Sequence, residues 1–148
     1  MAFQFSLQPV LRLRAGYERL ERLRLHALLA VIVRVREEIA AVEWESARVL
    51  RSVRESLRSG MAGAELHFEA AAEETRAVRK ARLELQLLDL ERAREKQQHI
   101  YTTARRKHKI LENLRQRRWE EYARLQARRE QAILDELHLI HRASKAAE

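Results

Sequence analysis

The stretch Ser59-Gly60-Met61-Ala62-Gly63 interrupts a sequence that otherwise favours helix, and it decides the fold. It holds two of the three glycines in a chain of 148 residues that has a single proline, Pro9. Glycine adopts the left-handed backbone that ends helices at little steric cost, so we expect Gly60 to end the first helix. The sequence predicts helix one over about 8–58, the turn over about 59–64 and helix two over about 65–144.

An apolar seam follows the first helix between Leu25 and Val53. Apolar residues recur there at alternating steps of three and four, which is the 3.5-residue repeat of a coiled coil. The seam consists of Leu25, Leu28, Ile32, Val35, Ile39, Val42, Val49 and Val53, with Ser46 in the one polar place. Upstream, Leu13, Tyr17 and Leu20 form a similar stripe that is out of phase by one residue. We expect these three to continue the seam after a slip in register.

Helix two carries a weaker seam that begins at Leu83 and fades beyond Leu114. Two helices joined by one sharp turn run antiparallel, so residue i lies opposite roughly residue 123 − i if the chain folds back near residues 61–62. Helix two is then the longer one and overhangs from about Arg115. The sequence therefore predicts an all-α protein, a long antiparallel two-helix coiled-coil hairpin that forms a single domain over residues 1–148.

Composition excludes several classes of function. The absence of cysteine excludes a disulfide framework, a thiolate-bound metal and a thiol nucleophile. A seam only two helices wide encloses no pocket of the size that small molecules need. Asp135, His138 and His141 have helical spacing, as do Glu95 and His99, but no facing helix is expected to complete a metal site. We expect no enzymatic activity, no cofactor and no metal.

Charge is concentrated in two segments. The segment from Arg105 to Glu130 contains ten Lys/Arg and four Glu, a balance of +6. Residues 12–24 have a balance of +3, and the whole chain has a net charge of +8. An antiparallel hairpin brings these segments to the same end, which favours an acidic or polar protein partner. There are two weaker alternatives. One is nucleic acid, which arginines together with Trp119 and Tyr122 would bind, and the other is an anionic membrane surface. The longest apolar run, Ala27–Val33, is too short to cross a bilayer, so we expect a cytosolic protein without direct membrane insertion.

Three segments resemble the flagellar export protein FliJ family. The first is Phe3-Gln4-Phe5-Ser6-Leu7-Gln8-Pro9-Val10-Leu11-Arg12-Leu13-Arg14, which is similar to the F-x-F-x-L-x-x-V-L-x-L-R start of the family. The second is the turn Ser59-Gly60-Met61 followed by Glu65-Leu66 and Phe68. The third comprises Leu111-Glu112 with Leu114, Glu120-Glu121-Tyr122, Glu130-Gln131 and Leu134-Asp135-Glu136. Phe3 and Phe5 are either disordered in the isolated chain or a hydrophobic staple on helix two.

The resemblance implies a two-helix coiled coil similar to the central stalk of rotary ATP synthases. Such a protein sits in the pore of the hexameric flagellar export ATPase, links it to the export gate protein FlhA and escorts flagellar export chaperones. It is cytoplasmic and peripheral at the inner face of the cell membrane, at the flagellar base. The equivalent stalk of a virulence injectisome and a basic coiled-coil nucleic-acid-binding protein are the alternatives.

The basic end and the resemblance together assign residues to two partners. The residues expected to bind the ATPase are Arg12, Arg14, Arg115, Arg117, Arg118 and Arg124. The residues expected to bind the export gate, near the turn, are Val42, Val49, Phe68, Ala71 and Thr75. Only Phe68 among the second set keeps the aromatic character that the family shows on its gate-facing surface.

Overall fold

A computed structural model describes residues 3–146, apart from the side chains of residues 144 and 146, and consists of two helices. Helix α1 spans Gln8–Ser59 and has 52 residues, whereas α2 spans Gly63–Ala146 and has 84. No strand occurs among the described residues. The two helices pack against each other, which confirms the prediction of an all-α hairpin with a longer second helix.

The turn has the backbone geometry that its glycines predict. Gly60 has a φ of 95°, in the left-handed region, so its predicted role at the end of α1 is confirmed. The carbonyl oxygen of Ala62 then accepts hydrogen bonds from the backbone N–H groups of Glu65 at 3.1 Å and Leu66 at 3.2 Å. These bonds satisfy two of the donors that the first turn of a helix leaves free, and they fix the start of α2.

Replacing Gly60 by alanine should lower the free energy of unfolding by about 1 kcal/mol, because a side chain is penalised in left-handed backbone. Gly16 provides the matched control, since it lies inside α1 and an added Cβ would have no neighbour within 4 Å. Alanine at Gly16 should raise the same free energy by about 0.5–1 kcal/mol. Urea denaturation followed by circular dichroism measures both changes, and equal stability of the two variants would contradict the prediction.

The chain divides into two compact units, each containing part of both helices. The first, which we call the basic unit, contains the residues up to Glu18 and those from Thr103 onward. The second, which we call the central unit, contains Arg19–Thr102.

The core of the central unit is the predicted seam. Val35, Val42 and Leu83 are buried together, and Ile39, Leu87 and Leu90 pack against them. Leu25 and Ile32 are also buried, with 6% and 2% of their surface exposed. Two ion pairs join the helices, Arg36 to Glu91 at 2.5 Å and Lys80 to Glu43 at 2.7 Å. The hydrogen bond and charge of Glu43 raise the pKa of Lys80 above its usual value.

The predicted slip in register is wrong. Leu13, Tyr17 and Leu20 are 56%, 49% and 42% exposed. The inner positions of α1 are instead Leu11, Arg14, Glu18 and Glu21, which continue the steps of three and four from Leu25 without a break. Leu11 and Glu21 are buried, and Arg14 and Glu18 are half-buried. Hydrogen bonds to α2 allow Glu18 and Glu21 to occupy these positions, so the helix keeps one phase.

The first described residues lie along α2 and shorten its unpaired part. The ring centroid of Phe3 is 5.4 Å from that of Trp119 and 5.6 Å from that of Tyr122. For Phe3, the hydrophobic staple on helix two is therefore confirmed. Gln126 is the last half-buried residue, and every described side chain after it is exposed. The predicted start of the overhang at Arg115 is too early, because residues 3–7 cover the next stretch of α2.

Candidate partner-binding surfaces

The basic unit carries most of the net charge of the protein. Its segments contain 14 Lys/Arg against 8 Asp/Glu, a balance of +6 out of the total of +8. Because the inner positions of a two-helix seam are few, most of these side chains lie on the outer faces of the helices and are exposed. This surface therefore attracts acidic partners over a distance of about one Debye length, roughly 8 Å at physiological salt.

Five of the six arginines predicted to bind the ATPase are exposed, and Arg14 is half-buried at an inner position. The exposed five are Arg12, Arg115, Arg117, Arg118 and Arg124. Arg115 lines a groove of about 700 Å³ with Phe3 and Trp119. Arg118 lines a neighbouring groove of about 590 Å³ with residues 3–7. The structure thus brings two of the predicted arginines beside the start of the chain.

The aromatic cluster of Phe3, Trp119 and Tyr122 lies among these arginines. Phe3 meets Trp119 edge to face, and the rings of Trp119 and Tyr122 are 6.0 Å apart on successive turns of α2. Trp119 stays 47% exposed, so one large apolar side chain is available within the cationic surface. Nearby, the hydrogen bond and charge of Lys109 lower the pKa of Glu112, with a smaller contribution from His108.

Polar pairs occupy inner positions in each unit, Glu18 with His108 in the basic unit and Glu21 with Gln97 in the central unit. Glu21 is 9% exposed and accepts hydrogen bonds from Gln97 Nε2 and Arg24 Nη1, both at 2.6 Å. Glu18 Oε2 contacts His108 Nδ1 across the helices of the basic unit. Sequence inspection placed Gln97 at an inner position but missed Glu18 and Glu21, because it followed apolar residues upstream of Leu25. The unbroken spacing from Leu25 back to Leu11 is the signal that could have found these two.

The residues predicted to bind the export gate fall into three environments. Val42 is 4% exposed and belongs to the core of the central unit. Val49, which is half-buried, and Phe68, which is 71% exposed, line one groove of about 500 Å³ near the turn. Ala71 and Thr75 are exposed on α2, and Thr75 Oγ1 donates a hydrogen bond to the carbonyl oxygen of Ala71 at 3.1 Å. The structure thus brings together Val49 and Phe68.

Within residues 3–146, no three histidine or acidic side chains come close enough to hold a metal ion. Asp135, which had the spacing of a metal ligand, accepts a hydrogen bond from Gln131 at 2.8 Å. No helix in the described part of the chain is long and apolar enough to span a bilayer.

The structure is thus that of an all-α coiled-coil hairpin with a cationic unit and with an exposed aromatic side chain near its turn. The chain belongs to the flagellar FliJ protein family, whose model matches residues 3–147. No curated protein and no solved structure matches it. Family membership confirms the resemblance and makes the chain a component of the flagellar export apparatus, in a family of structural rather than enzymatic components.

Proposed function

We propose that this protein is the non-enzymatic central stalk of the flagellar type III export apparatus. Its basic unit inserts in the pore of the hexameric export ATPase, and its central unit couples the ring to the export gate protein FlhA. It also escorts empty export chaperones. It acts in the cytoplasm, peripherally at the inner face of the cell membrane at the flagellar base.

The observation that carries this proposal is the charge of +6 on the basic unit, in a chain of the FliJ family. Two helices have no six-fold symmetry, so a hairpin inside a ring contacts the six subunits unequally. A contact that differs among subunits favours different nucleotide states in each of them, since a ligand shifts an equilibrium by its differential affinity. The exposed arginines supply such contacts to acidic or polar side chains of the pore.

The surface proposed for the export gate is the groove of Val49 and Phe68. Phe68 is 71% exposed, so its ring presents apolar surface to water, which is unfavourable. A partner that covers the ring removes this surface from water, and the complex is stabilised. Aromatic residues are also over-represented among the residues that dominate binding energy at interfaces. Phe68 is therefore the expected anchor, and Ala71 and Thr75 follow it along α2.

Reversing Arg115, Arg117, Arg118 and Arg124 to glutamate should reduce stimulation of the purified export ATPase by at least about tenfold. The reason is that charged contacts at an interface set both encounter rate and affinity. ATP hydrolysis is measured at a fixed ATPase concentration while the chain is titrated, together with direct binding.

The matched control reverses four exposed arginines of the central unit, Arg51, Arg54, Arg58 and Arg79, and so makes the same change in net charge. It should leave stimulation unchanged. Full stimulation by the basic-unit variant, or equal loss in both variants, would contradict the proposed ring contact. Circular dichroism checks that both variants keep their helical content.

Nucleic acid is the second candidate partner, because Trp119 is half-exposed beside Arg115 on the basic unit. Arginines contact phosphates and an aromatic ring stacks on bases, so this surface has the required chemistry. A gel shift at two salt concentrations separates the candidates. Affinity for any duplex that falls steeply with salt favours nucleic acid, whereas the absence of a shift favours the ring. The family match favours the flagellar stalk over that of an injectisome.

A further inference from the structure

A second apolar stripe, which we call the outer stripe, follows α1 within the central unit on the side that faces away from α2. Its members recur at steps of three and four, as the seam residues do, and they are Leu20, Leu23, Ala27 and Ala30. All four are exposed, and Leu23 is 56% exposed. Val31, four residues after Ala27, is 40% exposed on the same side. Single exposed leucines are ordinary, whereas a contiguous apolar face at helical spacing is typical of an interaction surface.

Two arginines lie at the ends of the outer stripe. Arg19 precedes Leu23 by four residues and Arg34 follows Ala30 by four, so both share the face of the stripe. Both are exposed, and neither forms an ion pair with another described residue. They are fifteen residues apart in the sequence, which is about 22 Å along the axis of a helix. The outer stripe therefore has an unpaired positive charge at each end.

The carboxylates of α1 do not balance these two charges. Glu21 is the sole acidic residue of the stretch 19–36, and it is buried and bonded to α2. Glu37 and Glu38 follow Arg34 within four residues, but neither forms an ion pair with it. The outer stripe is thus apolar along its length and cationic at both ends. Its chemistry is complementary to a partner that covers the apolar side chains and brings an acidic group to each end.

We propose that the outer stripe is a docking surface for an amphipathic helix of a further partner, with an apolar stripe of its own and a carboxylate near each end. The apolar side chains of that helix cover Leu20 and Leu23, and the small residues Ala27 and Ala30 let the two helices approach closely. Its carboxylates pair with the two arginines, so they also lie about 22 Å apart. None of these residues belongs to the surfaces proposed for the ATPase or the export gate, so the helix binds in addition to both.

A second copy of the chain does not fit the outer stripe. In an antiparallel pair of stripes, Arg19 of each copy lies opposite Arg34 of the other, and in a parallel pair each arginine lies opposite its own counterpart. Both arrangements bring like charges together, which is unfavourable. An anionic membrane would satisfy the arginines, but the outer stripe lacks the broad apolar face with which a helix lies in a bilayer surface. The charge pattern therefore favours an acidic helix.

Fluorescence anisotropy with a designed helical peptide and the full chain tests the proposal. The peptide has leucines spaced as in a coiled coil and two glutamates as far apart as Arg19 and Arg34. A second peptide has lysine in place of both glutamates. The glutamate peptide should bind at least about tenfold more tightly than the lysine peptide, because only its charges are complementary.

Leu23→Asp should weaken binding of the glutamate peptide at least about tenfold, since it places a carboxylate in the middle of the apolar face. Leu85→Asp is the matched control, because Leu85 is 66% exposed on α2 and lies outside the outer stripe. It should leave binding unchanged. Circular dichroism verifies the helical content of both variants.

Exchanging the charges gives a sharper result. With Arg19→Glu and Arg34→Glu together, the preference should invert, so that the lysine peptide binds more tightly than the glutamate peptide. Reversal of Arg51 and Arg54, which are also exposed on α1, makes the same change in net charge. This control should keep the original preference, because the two ends of the outer stripe stay cationic.

Three results would overturn the proposal. The first is an unmodified chain that binds neither peptide or binds both equally. The second is a preference that survives Arg19→Glu with Arg34→Glu but is lost on reversal of Arg115, Arg117, Arg118 and Arg124, because the peptide then binds the basic unit. The third is an unmodified chain that dimerises or binds phosphatidylserine vesicles and loses this property in Leu23→Asp, because the outer stripe then has a different occupant.

Discussion

A chain in which leucine replaces both Glu21 and Gln97 should be more stable than the unmodified protein, by about 2 kcal/mol of unfolding free energy. Glu21 is 9% exposed at an inner position of the seam, so it has given up most of its hydration. Hydrogen bonds from Gln97 and Arg24 recover only part of that loss. Two leucines at the same positions would bury apolar surface and require no compensating bond.

The single change Gln97→Leu should have the opposite sign and lower the unfolding free energy by about 1–3 kcal/mol. It removes one donor from a carboxylate that remains buried, whereas the double change removes the carboxylate as well. Gln98→Leu is the control, because Gln98 is exposed on the adjacent position and its replacement should have an effect within about 0.5 kcal/mol. Urea denaturation of the unmodified chain and the three variants measures these changes, and a double variant less stable than the unmodified chain would contradict the prediction.

Local chemistry was sufficient to predict the turn and the central seam. Gly60 adopts the left-handed backbone that is penalised for residues with a side chain, and the spacing from Leu25 to Val42 fits a coiled coil and no strand. Both signals reside within one helix or one turn. They therefore do not depend on where the second helix lies.

The inner positions of Glu18 and Glu21 could not be predicted, because His108 and Gln97, which pair with them, lie on the other helix. Glu18 and Glu21 look like solvent-facing residues until the antiparallel register places His108 and Gln97 opposite them. If the inner positions of α1 are chosen by apolarity alone, Leu13, Tyr17 and Leu20 are selected, although they are exposed. The spacing of the inner positions from Leu25 onward predicts the inner positions upstream correctly, since a continuous α-helix keeps the repeat that its most apolar part sets.

The features of the candidate surfaces differ in how far they depend on the antiparallel pairing of the two helices. Counting charges located the basic stretch 105–130, because formal charge does not depend on packing, whereas Arg19, Arg22 and Arg24 of the predicted basic end belong to the central unit. The contact of Phe3 with Trp119 follows from the antiparallel pairing, which places residue 3 opposite roughly residue 120.

Val42→Asp should destabilise the protein by about 3 kcal/mol or more, because it buries a carboxylate without a hydrogen-bond donor. Val42 is 4% exposed and packs with Val35 and Leu83, so the introduced charge has no route to water without separating the helices. In thermal and urea denaturation, this variant should lose its helix at a lower temperature and at a lower urea concentration than the unmodified chain. A variant as stable as the unmodified chain would contradict the burial of this position.

Phe68→Ala should leave the unfolding free energy within about 0.5 kcal/mol of the unmodified value, since the ring is 71% exposed. It should nevertheless weaken binding to the export gate protein by about tenfold or more, as expected for an aromatic anchor at an interface. Full binding by this variant would contradict the gate surface proposed around Phe68.

The two variants together separate a binding residue from a folding residue. Both are expected to lose the gate protein in a pull-down, because a chain with separated helices presents no intact surface. Only Val42→Asp should lose its helical signal under the same conditions. Val42→Asp should bind the gate protein again at a temperature at which this variant is folded. Phe68→Ala should remain deficient in binding at that temperature. Recovery of Phe68→Ala on cooling would assign Phe68 to folding and leave the gate surface to other residues.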